Sequence, residues 1–341
     1  MICCYLIIGQ TLSHNYLKGR DVSFFPGHDP VPGDIQSIDA IETQIIPRTS
    51  DVGGLQVRRA LPTAKRRLVG PFIFFDRMGP AILRAGEALD VAPHPHIGLS
   101  TVTYLLDGHI RHRDSLGTEQ VIYPGEVNLM TAGRGIVHSE RTPEEMRGEP
   151  LAISGLQTWL ALPERYESIA PEFSNYTVQE LPFLREKDFS MRLMIGAMHG
   201  LKSTVQTYSE TLYADVFIEA GGRFHLPALQ EERAIYILSG AVRIAGEVFS
   251  SNQLLAFRAG DDIVIEGVAQ VFPHEGQGFS QVSQGAQIMI FGGEPMESRR
   301  YIWWNFVSSS KERIEQAKEE WRSRRFDTVP GDAEEFIPLP E

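Results

Sequence analysis

The sequence predicts an all-β protein in which one antiparallel β-fold occurs twice and is followed by a C-terminal helix. From residue 38 onward, short apolar runs alternate with turns rich in Gly and Pro, the rhythm of β-sandwiches and β-barrels. Short segments of the first half recur in the second half. A helical pattern occurs near the C-terminus, after the predicted strands.

The first 37 residues contain turn-forming residues and no sustained periodicity, so we expect a peripheral extension there. The strands that follow are predicted in apolar runs such as TVTYLLDG at 101–108, LQTWLALP at 156–163 and RAIYILSGAVRIAG at 233–246. Gly and Pro together occupy 52 of 341 positions, which is enough for many short strands and tight turns.

An internal repeat relates the two halves. YLLDG at 104–108 matches YILSG at 236–240, which lies 132 residues later, and MTAG at 130–133 aligns with FRAG at 257–260, which lies 127 residues later. We interpret the halves as two copies of one β-fold, the second shorter by five residues between these segments.

The last element is a helix predicted from about 310 to 325. Ser309 and Glu312 have the spacing of a capping box before KERIEQAKEEWRSRR. Three apolar residues then fall on one face of the helix: Ile314, Ala317 and Trp321. The sequence PGDAEEFIPLPE after it is expected to be a surface tail.

Charge restricts the partners of this chain. It carries 44 acidic against 32 basic side chains, a formal net charge of −12, so phosphate-rich surfaces meet a repulsive mean field. Direct binding of nucleic acid or an anionic membrane is therefore not expected. One run of basic residues is predicted to be a solvated face: Arg58, Arg59, Lys65, Arg66 and Arg67.

Cysteine usage favours the cytoplasm. Cys3 and Cys4 are adjacent and cannot close a useful disulfide loop, which suits a reducing compartment. The apolar start from Met1 to Ile8 is too short for a signal or membrane segment. Because the chain supplies its own pair of β-folds, a monomer is expected.

Two histidine-containing segments carry the chemistry. His94 and His96 in APHPHIG, and His138 and Glu140 in GRGIVHSE, are each two residues apart and so project from the same face of a strand. Together they can form a site of three imidazoles and one carboxylate, which suits Fe, Mn, Ni, Cu or Zn better than Mg or Ca. On spacing alone, hydrogen-bonded structural histidines explain the pattern about as well.

The second copy lacks this set. The repeat offsets map the four candidate ligands onto Leu226, Ala228, Ile265 and Gly267. His225 lies one position out of register and would face the other way in a strand. We therefore predict that the second copy binds no metal.

Four segments make a family resemblance specific. HPHIGLSTVTYLL at 94–106, HRDSLG at 112–117, PGEVNLMTAGRGIVHSE at 124–140 and GLQTWLALP at 155–163 strongly resemble the pirin family of the cupin superfamily. The resemblance runs from about Ile38 through Arg325. It implies two tandem cupin barrels, also described as double-stranded β-helices or jelly rolls, with a C-terminal helix.

The resemblance also implies a division of the chain. We assign an N-terminal extension to 1–37, a metal-binding cupin barrel to 38–170, a cupin barrel without metal to 171–300, and a helix and tail to 301–341. EERAIYILSGAV and FGGEP in the second half resemble the C-terminal cupin of the family.

The site residues follow from the same resemblance. His94, His96, His138 and Glu140 fall on the positions where pirins bind one Fe(II). Ser100 departs from the Glu that most cupins have there. Roles beside the metal ligands are expected for three residues: His112, Ser100 and Gln157. Glu232, the equivalent of Ser100 in the second copy, is expected to pair with a nearby Arg.

The resemblance implies an enzyme of the quercetin 2,3-dioxygenase type. Such an enzyme uses Fe(II) and O2 on flavonols or similar enolisable aromatics, with Glu140 accepting the substrate hydroxyl proton while remaining a ligand. The alternative is an iron-dependent, redox-sensitive regulatory protein that binds other proteins, as a transcriptional co-regulator or a modulator of a metabolic enzyme. A sugar-isomerase or storage cupin fits less well, because MTAGRGIVHSE is narrower than cupins in general.

Overall fold

The computed structural model describes residues 40–269, 271–272, 281–282 and 284–340, and confirms the predicted fold class. Its elements are twenty-eight β-strands, two short 3₁₀ turns and one α-helix, arranged as two antiparallel barrels in tandem. The predicted extension over residues 1–37, with both cysteines, lies outside the described residues.

The first twelve strands and the two 3₁₀ turns, Glu144–Met146 and Glu164–Tyr166, occupy the N-terminal half. The strands are β1 Ile41–Ile45, β2 Arg48–Val52, β3 Leu55–Leu61, β4 Phe72–Leu83, β5 Asp90–His96, β6 Leu99–Asp107, β7 Ile110–Asp114, β8 Glu119–Ile122, β9 Val127–Thr131, β10 Ile136–Arg141, β11 Leu151–Ala161 and β12 Glu172–Tyr176.

The second half contains sixteen strands and the helix. They are β13 Phe183–Arg185, β14 Phe189–Ile195, β15 Ala197–Met198, β16 Leu201–Lys202, β17 Thr211–Glu219, β18 Arg223–Leu226, β19 Glu232–Ser239, β20 Ala241–Ile244, β21 Glu247–Ser250, β22 Leu254–Phe257, β23 Ile263–Val268, β24 Val271–Phe272, β25 Gln281–Val282, β26 Gly285–Gly293, β27 Tyr301–Trp303, β28 Phe306–Ser308 and α1 Lys311–Arg322.

Each barrel consists of a seven-stranded and a four-stranded sheet with matching strand orders. In the first barrel the orders are β12-β9-β6-β11-β4-β3-β2 and β5-β10-β7-β8; in the second they are β1-β22-β19-β26-β17-β14-β13 and β18-β23-β20-β21. The repeated segments YLLDG and YILSG belong to β6 and β19, which occupy equivalent places, so the predicted duplication is confirmed.

One strand crosses from the first half of the chain into the second barrel. β1 precedes the first barrel in the chain but pairs with β22 of the second, whereas β12 follows the first barrel and pairs with β9 within it. The polypeptide therefore crosses between the barrels before either sheet is complete. The predicted boundaries at 38, 170 and 300 stay a prediction, because strand pairing alone does not define domain limits.

A shared apolar core joins the seven-stranded sheets face to face. Phe75 stacks on Tyr236 with ring centroids 5.1 Å apart, and Phe72 meets Phe291 edge to face at 5.1 Å. These four side chains are buried within one cluster that draws on both barrels. Burial of large aromatic surfaces of this kind is the main stabilising contribution between sheets.

The barrel interiors differ in polarity. In the second barrel one continuous cluster of buried apolar residues occupies the space between its sheets. The first barrel contains two separate apolar clusters, one around Leu99 and Ile136 and another around Leu105 and Ile110. The first barrel also buries polar side chains, among them His94, His96, His112, Asp114 and His138.

The C-terminal helix is present, but its predicted cap is wrong. Ser310 is the N-cap and accepts a hydrogen bond from the N–H of Arg313, while Ser309 donates to the carboxylate of Glu167 on the first barrel. Ile314 and Ala317 are buried, as predicted. No helix among the described residues is long and apolar enough to cross a membrane.

The C-terminal tail is tied to the first barrel and is only partly the surface tail that was predicted. Most of its side chains are exposed, but Val329 is buried. Arg141 binds Asp332 through two hydrogen bonds of 2.6 and 2.8 Å. The N–H of Ile337 donates to the carbonyl oxygen of Pro93 at 2.9 Å, so the tail lies beside β5.

The predicted solvated face of basic residues is wrong for Arg59 and Arg66, whereas Arg58 and Lys65 are exposed as expected. Arg59 is buried and forms a bidentate ion pair with Asp76, with N–O distances of 2.8 and 2.7 Å. Arg66 is buried between Glu42 and Glu232, at 2.6 and 3.2 Å. The carboxylates that pair with Arg59 and Arg66 lie outside this run of basic residues. The run itself therefore does not show that two of its side chains are buried.

The expected ion pair of Glu232 is therefore present, and it is buried. Burial raises the pKa of the Glu232 carboxyl to about 7, against the opposing effect of the Arg66 guanidinium and the Gly70 N–H. In the unfolded chain this carboxyl titrates near its ordinary value of 4.5. The folded protein therefore binds an extra proton at Glu232 between these two pH values.

This uptake predicts a pH dependence of stability. The contribution of Glu232 to stability is fully present below pH ~4.5 and is lost as pH rises through ~7. Between pH 5 and pH 8 the free energy of unfolding of the wild type should therefore fall by ~2 kcal/mol relative to that of Glu232→Gln. Urea unfolding at both pH values measures the difference. The exposed Glu247→Gln serves as the control, and a Glu232→Gln difference that does not change with pH would contradict the assignment.

Candidate metal centre

The histidines meet in the middle of the first barrel. In the antiparallel pair of β5 and β10, His94 lies directly opposite His138, and the i, i+2 spacing brings His96 to the same face as His94. All three side chains are nearly or fully buried, with exposed fractions of 3%, 1% and 1%. The pairing of these two strands therefore brings both sequence segments to one place.

The three imidazoles form a compact group. Each offers one nitrogen, and these nitrogens all lie within 4.8 Å of one another. The Nε2 atoms of His96 and His138 are 3.1 Å apart. Such a spacing suits two ligands on adjacent positions of one metal ion, where metal–nitrogen bonds are about 2.1 Å long.

Hydrogen bonds orient the rings. His94 donates through Nδ1 to the carbonyl oxygen of Ala92 at 2.9 Å, and His96 donates through Nδ1 to the carbonyl oxygen of Asn305 at 3.2 Å. A carbonyl oxygen only accepts, so in the neutral rings the proton is on Nδ1 and the Nε2 lone pair is left for other partners. His138 has its Nδ1 3.4 Å from Nδ1 of His112.

Burial keeps these imidazoles neutral. It lowers the pKa of His94 to about 4, against a hydrogen bond to Ala92, and lowers the pKa of His96 and His138 well below the ordinary value. Neutral imidazole is the form that binds metals. The His96 ring, with its proton on Nδ1, turns its Nε2 lone pair toward Nε2 of His138 at 3.1 Å. The donor set therefore fits a divalent metal ion.

Glu140 lies beside this group without belonging to it. Among the described residues, the compact group contains the three histidines and not Glu140. The Glu140 carboxylate accepts a hydrogen bond from Nε2 of Gln157 at 3.2 Å, and Gln157 in turn accepts one from Thr103 at 2.6 Å. Its assignment as a fourth ligand stays a prediction.

The environment of Glu140 affects its basicity. Burial raises the pKa of its carboxyl, while His112 and the hydrogen bond from Gln157 oppose that shift. Glu140 lies opposite His112 in the pair of β10 and β7. A buried carboxylate with a raised pKa is a stronger base than an exposed one.

The three residues expected beside the ligands lie in different places. Gln157 contacts Glu140, and His112 contacts His138. Ser100 lies apart from them: its hydroxyl bonds to that of Thr131 at 2.9 Å. Side chains alternate along β6, so Ser100 shares the outer face of the sheet with Val102 and Tyr104, which pack into the core between the barrels.

Asp114 is a neighbour of the site that the sequence analysis missed. It is fully buried, and its carboxylate accepts a hydrogen bond from Nε2 of His112 at 3.1 Å. Burial opposes its ionisation, yet hydrogen bonds from His112 and Thr118 hold the pKa of Asp114 below its ordinary value. The sequence did contain a signal for Asp114. In HRDSLG it lies two residues after His112, and this spacing places both side chains on one face of a strand.

Aromatic rings line the imidazole group. Trp159 meets the His96 ring edge to face at 5.1 Å and stacks on Phe74 at 4.0 Å. Phe173 of β12 stacks on His112 at 4.6 Å. Two of the buried histidines, His96 and His112, therefore have apolar, planar neighbours.

The second barrel has apolar residues where the first has histidines, at positions that differ from the predicted ones. Phe224 lies opposite Ile265 as His94 lies opposite His138, and Leu226 corresponds to His96. The predicted equivalents Leu226 and Ala228 are wrong by two residues, because Leu226 lies ten positions before Tyr236 whereas His96 lies eight positions before its equivalent, Tyr104.

The other equivalent positions follow from the same ladders. Val242 lies opposite Gly267 as His112 lies opposite Glu140. His225 is exposed, as its position out of register implies, with its Nε2 3.5 Å from Asp262.

Comparison with known proteins identifies the family. Residues 54–160 match the Pirin profile, and residues 213–327 match that of the Pirin C-terminal cupin domain. A pirin-like protein of Caulobacter vibrioides is 43% identical over 297 residues, which cover 86% of this chain and 97% of the relative. The chain belongs to the pirin family.

Solved structures agree with this membership. A quercetin 2,3-dioxygenase from Acinetobacter baumannii is 30% identical with a TM-score of 0.79, covering 89% of this chain and 96% of that one. The bacterial pirin YhhW from Escherichia coli, solved with nickel(II), is 20% identical with a TM-score of 0.55, covering 74% and 99%. The second similarity shows the shared pirin fold alone.

The geometry predicts that one divalent ion stabilises the protein through His96. Co²⁺ or Ni²⁺ at 100 times its Kd should raise the free energy of unfolding by about 2.7 kcal/mol. His96→Leu, which introduces the residue that the second barrel has at this place, should abolish the rise. Thermal and urea unfolding with and without metal measure it.

The control for this variant is His225→Leu, which removes an exposed imidazole of the second barrel. It should show the same metal-induced stabilisation as the wild type. A rise that persists in His96→Leu would mean that the metal binds elsewhere.

Proposed function

We propose that this protein is a metal-dependent dioxygenase of the quercetin 2,3-dioxygenase type, with Fe(II) held by His94, His96 and His138. The observation that carries the proposal is the convergence of three neutral imidazoles, with the half-buried carboxylate of Glu140 two residues from His138 on the same strand. The similarity to a quercetin 2,3-dioxygenase that is 30% identical supports the choice of reaction.

The chemistry of the metal is that of a Lewis acid and template, which favours the deprotonated form of an enolisable hydroxyl and brings it near O2. Three protein ligands leave other positions on the ion for substrate, O2 and a fourth protein ligand. The same nitrogen donors suit Mn, Ni, Cu or Zn, so Fe(II) is the proposed and not the sole compatible metal.

Glu140 is the proposed proton acceptor. Gln157 holds one of its oxygens at 3.2 Å, and Thr103 fixes Gln157 in turn, so the carboxylate is oriented before substrate binds. Its raised pKa strengthens it as a base toward a flavonol hydroxyl group. Glu140 is also the proposed fourth ligand, and its carboxylate lies outside the compact histidine group.

The aromatic surroundings suit a planar substrate. Trp159 lies edge to face with His96, and Phe173 stacks on the neighbouring His112. Flat apolar walls with a few placed polar groups are typical of sites for aromatic ligands. We therefore propose flavonols, or other aromatic compounds with an enolisable hydroxyl group, as the substrate class.

The proposal predicts O2-dependent loss of quercetin absorbance by the protein loaded with Fe(II) under anaerobic conditions. Glu140→Gln should lower kcat by about 10²-fold or more, the usual effect of losing a general base. Metal analysis of the same samples separates the two roles of Glu140. Full metal content with lost turnover indicates the base, and lost metal indicates the ligand.

Glu149→Gln, on the exposed loop before β11, is the matched control and should retain wild-type turnover. The enzyme proposal fails if the iron-loaded wild type shows no turnover of quercetin or related flavonols. It fails equally if Glu140→Gln turns over quercetin at the wild-type rate.

A further inference from the structure

We infer that Asp114 and His112 are positioning residues that fix the proton of His138 on Nδ1 and so direct its Nε2 lone pair at the metal. This inference rests on the metal site of the proposed function. It adds Asp114 and His112 to the site, where they act on the metal through their hydrogen bonds to each other and to His138.

The first step is the carboxylate of Asp114, whose two oxygens have separate partners. Oδ1 accepts the backbone N–H groups of Leu116 at 2.9 Å and Thr118 at 3.1 Å. Oδ2 accepts from Nε2 of His112 at 3.1 Å. Because the backbone N–H groups can only donate, Oδ1 is committed to the turn that follows β7 and Oδ2 to the imidazole.

The second step is the tautomer of His112. A carboxylate only accepts hydrogen bonds, so the nitrogen that faces Asp114 carries a proton. In neutral His112 the lone pair is then on Nδ1, which lies 3.4 Å from Nδ1 of His138. Stacking on Phe173 at 4.6 Å keeps the His112 ring in this orientation.

The third step transfers this preference to the metal ligand. His138 has one proton and two possible acceptors, Nδ1 of His112 at 3.4 Å and, because the His96 proton is on Nδ1, Nε2 of His96 at 3.1 Å. With a metal ion held at the Nε2 atoms, the proton of His138 belongs on Nδ1, where His112 accepts it. Nε2 of His138, within the compact group, is then left as a lone pair. Partners of this kind orient metal-binding histidines, and their loss commonly costs 10- to 100-fold in metal affinity.

Asp114→Asn tests this route because the amide can occupy the site in one orientation only. The two backbone N–H groups require the amide oxygen at the Oδ1 position, so the amide NH₂ faces His112. His112 must then accept at Nε2 and carry its proton on Nδ1. His138 is thereby driven to carry its own proton on Nε2, where it blocks metal binding.

The direct measurement is the tautomer of His112 in the metal-free protein, read by long-range ¹H–¹⁵N NMR with His112 assigned from its absence in His112→Phe. Wild type should show the proton of His112 on Nε2, and Asp114→Asn should move it to Nδ1. The wild-type spectrum alone overturns the inference if His112 carries its proton on Nδ1.

The second measurement is the affinity for Co²⁺ and Ni²⁺ by chelator competition, with apo-protein Tm as the measure of folding. Asp114→Asn should weaken binding by at least tenfold. In the background of His112→Phe, which keeps the ring stacked on Phe173, the same substitution should change affinity less than twofold. An equal loss in both backgrounds would mean that Asp114 acts through the turn and not through His112.

Asp107→Asn is the matched control, because Asp107 accepts the backbone N–H of Gly108 at 2.9 Å in another turn of the same barrel. Its metal affinity should equal that of the wild type. Neither measurement depends on flavonol turnover. An inactive wild type with the expected His112 tautomer overturns the proposed function alone, whereas an unchanged His112 tautomer in Asp114→Asn overturns this inference alone.

Discussion

The alignment of β5 with β10 is the constraint on which the rest of the site depends. His94 meets His138 across this ladder, and His96 reaches the same face because side chains alternate along a strand. A slip of one residue would turn one histidine pair toward the outside of the barrel. The partners of the rings, in β7, β11 and the loop before β28, can act only after this alignment is in place.

The duplicated fold separates stability from chemistry. The second barrel has Phe224, Leu226 and Ile265 where the first has histidines, and these side chains belong to one continuous apolar cluster. The first barrel interrupts its own core with polar groups, which costs free energy unless each group is hydrogen-bonded. The core shared between the seven-stranded sheets offsets part of that cost, since it buries aromatic residues of both barrels.

The sequence was informative where a local rule applied. Alternation along strands predicted that His94 shares a face with His96 and His138 with Glu140, and the repeated YLLDG and YILSG segments indicated the duplication. Gln157 was expected near the site because side chains alternate along the strand that contains GLQTWLALP. Each of these inferences needs only neighbours within one strand or a short matching segment.

The remaining features depend on contacts between distant parts of the chain. The pairing of β1 with the second barrel is not visible in IETQI, because its pattern does not specify which sheet it joins. The burial of Arg59 and Arg66 depends on acidic partners elsewhere. The two-residue error in the second-barrel equivalents arose in a loop, where a short repeat cannot reveal an insertion.

The covering of β5 has a consequence for association. β5 is an edge strand of its sheet, and an open edge of this kind is a template for pairing with another chain. Here Val307 of β28 donates to Ile97, just beyond β5, and Ile337 of the tail donates to Pro93. β28 and the tail thus cap the strand that contains His94 and His96, so less of its edge is open to pairing with a second chain.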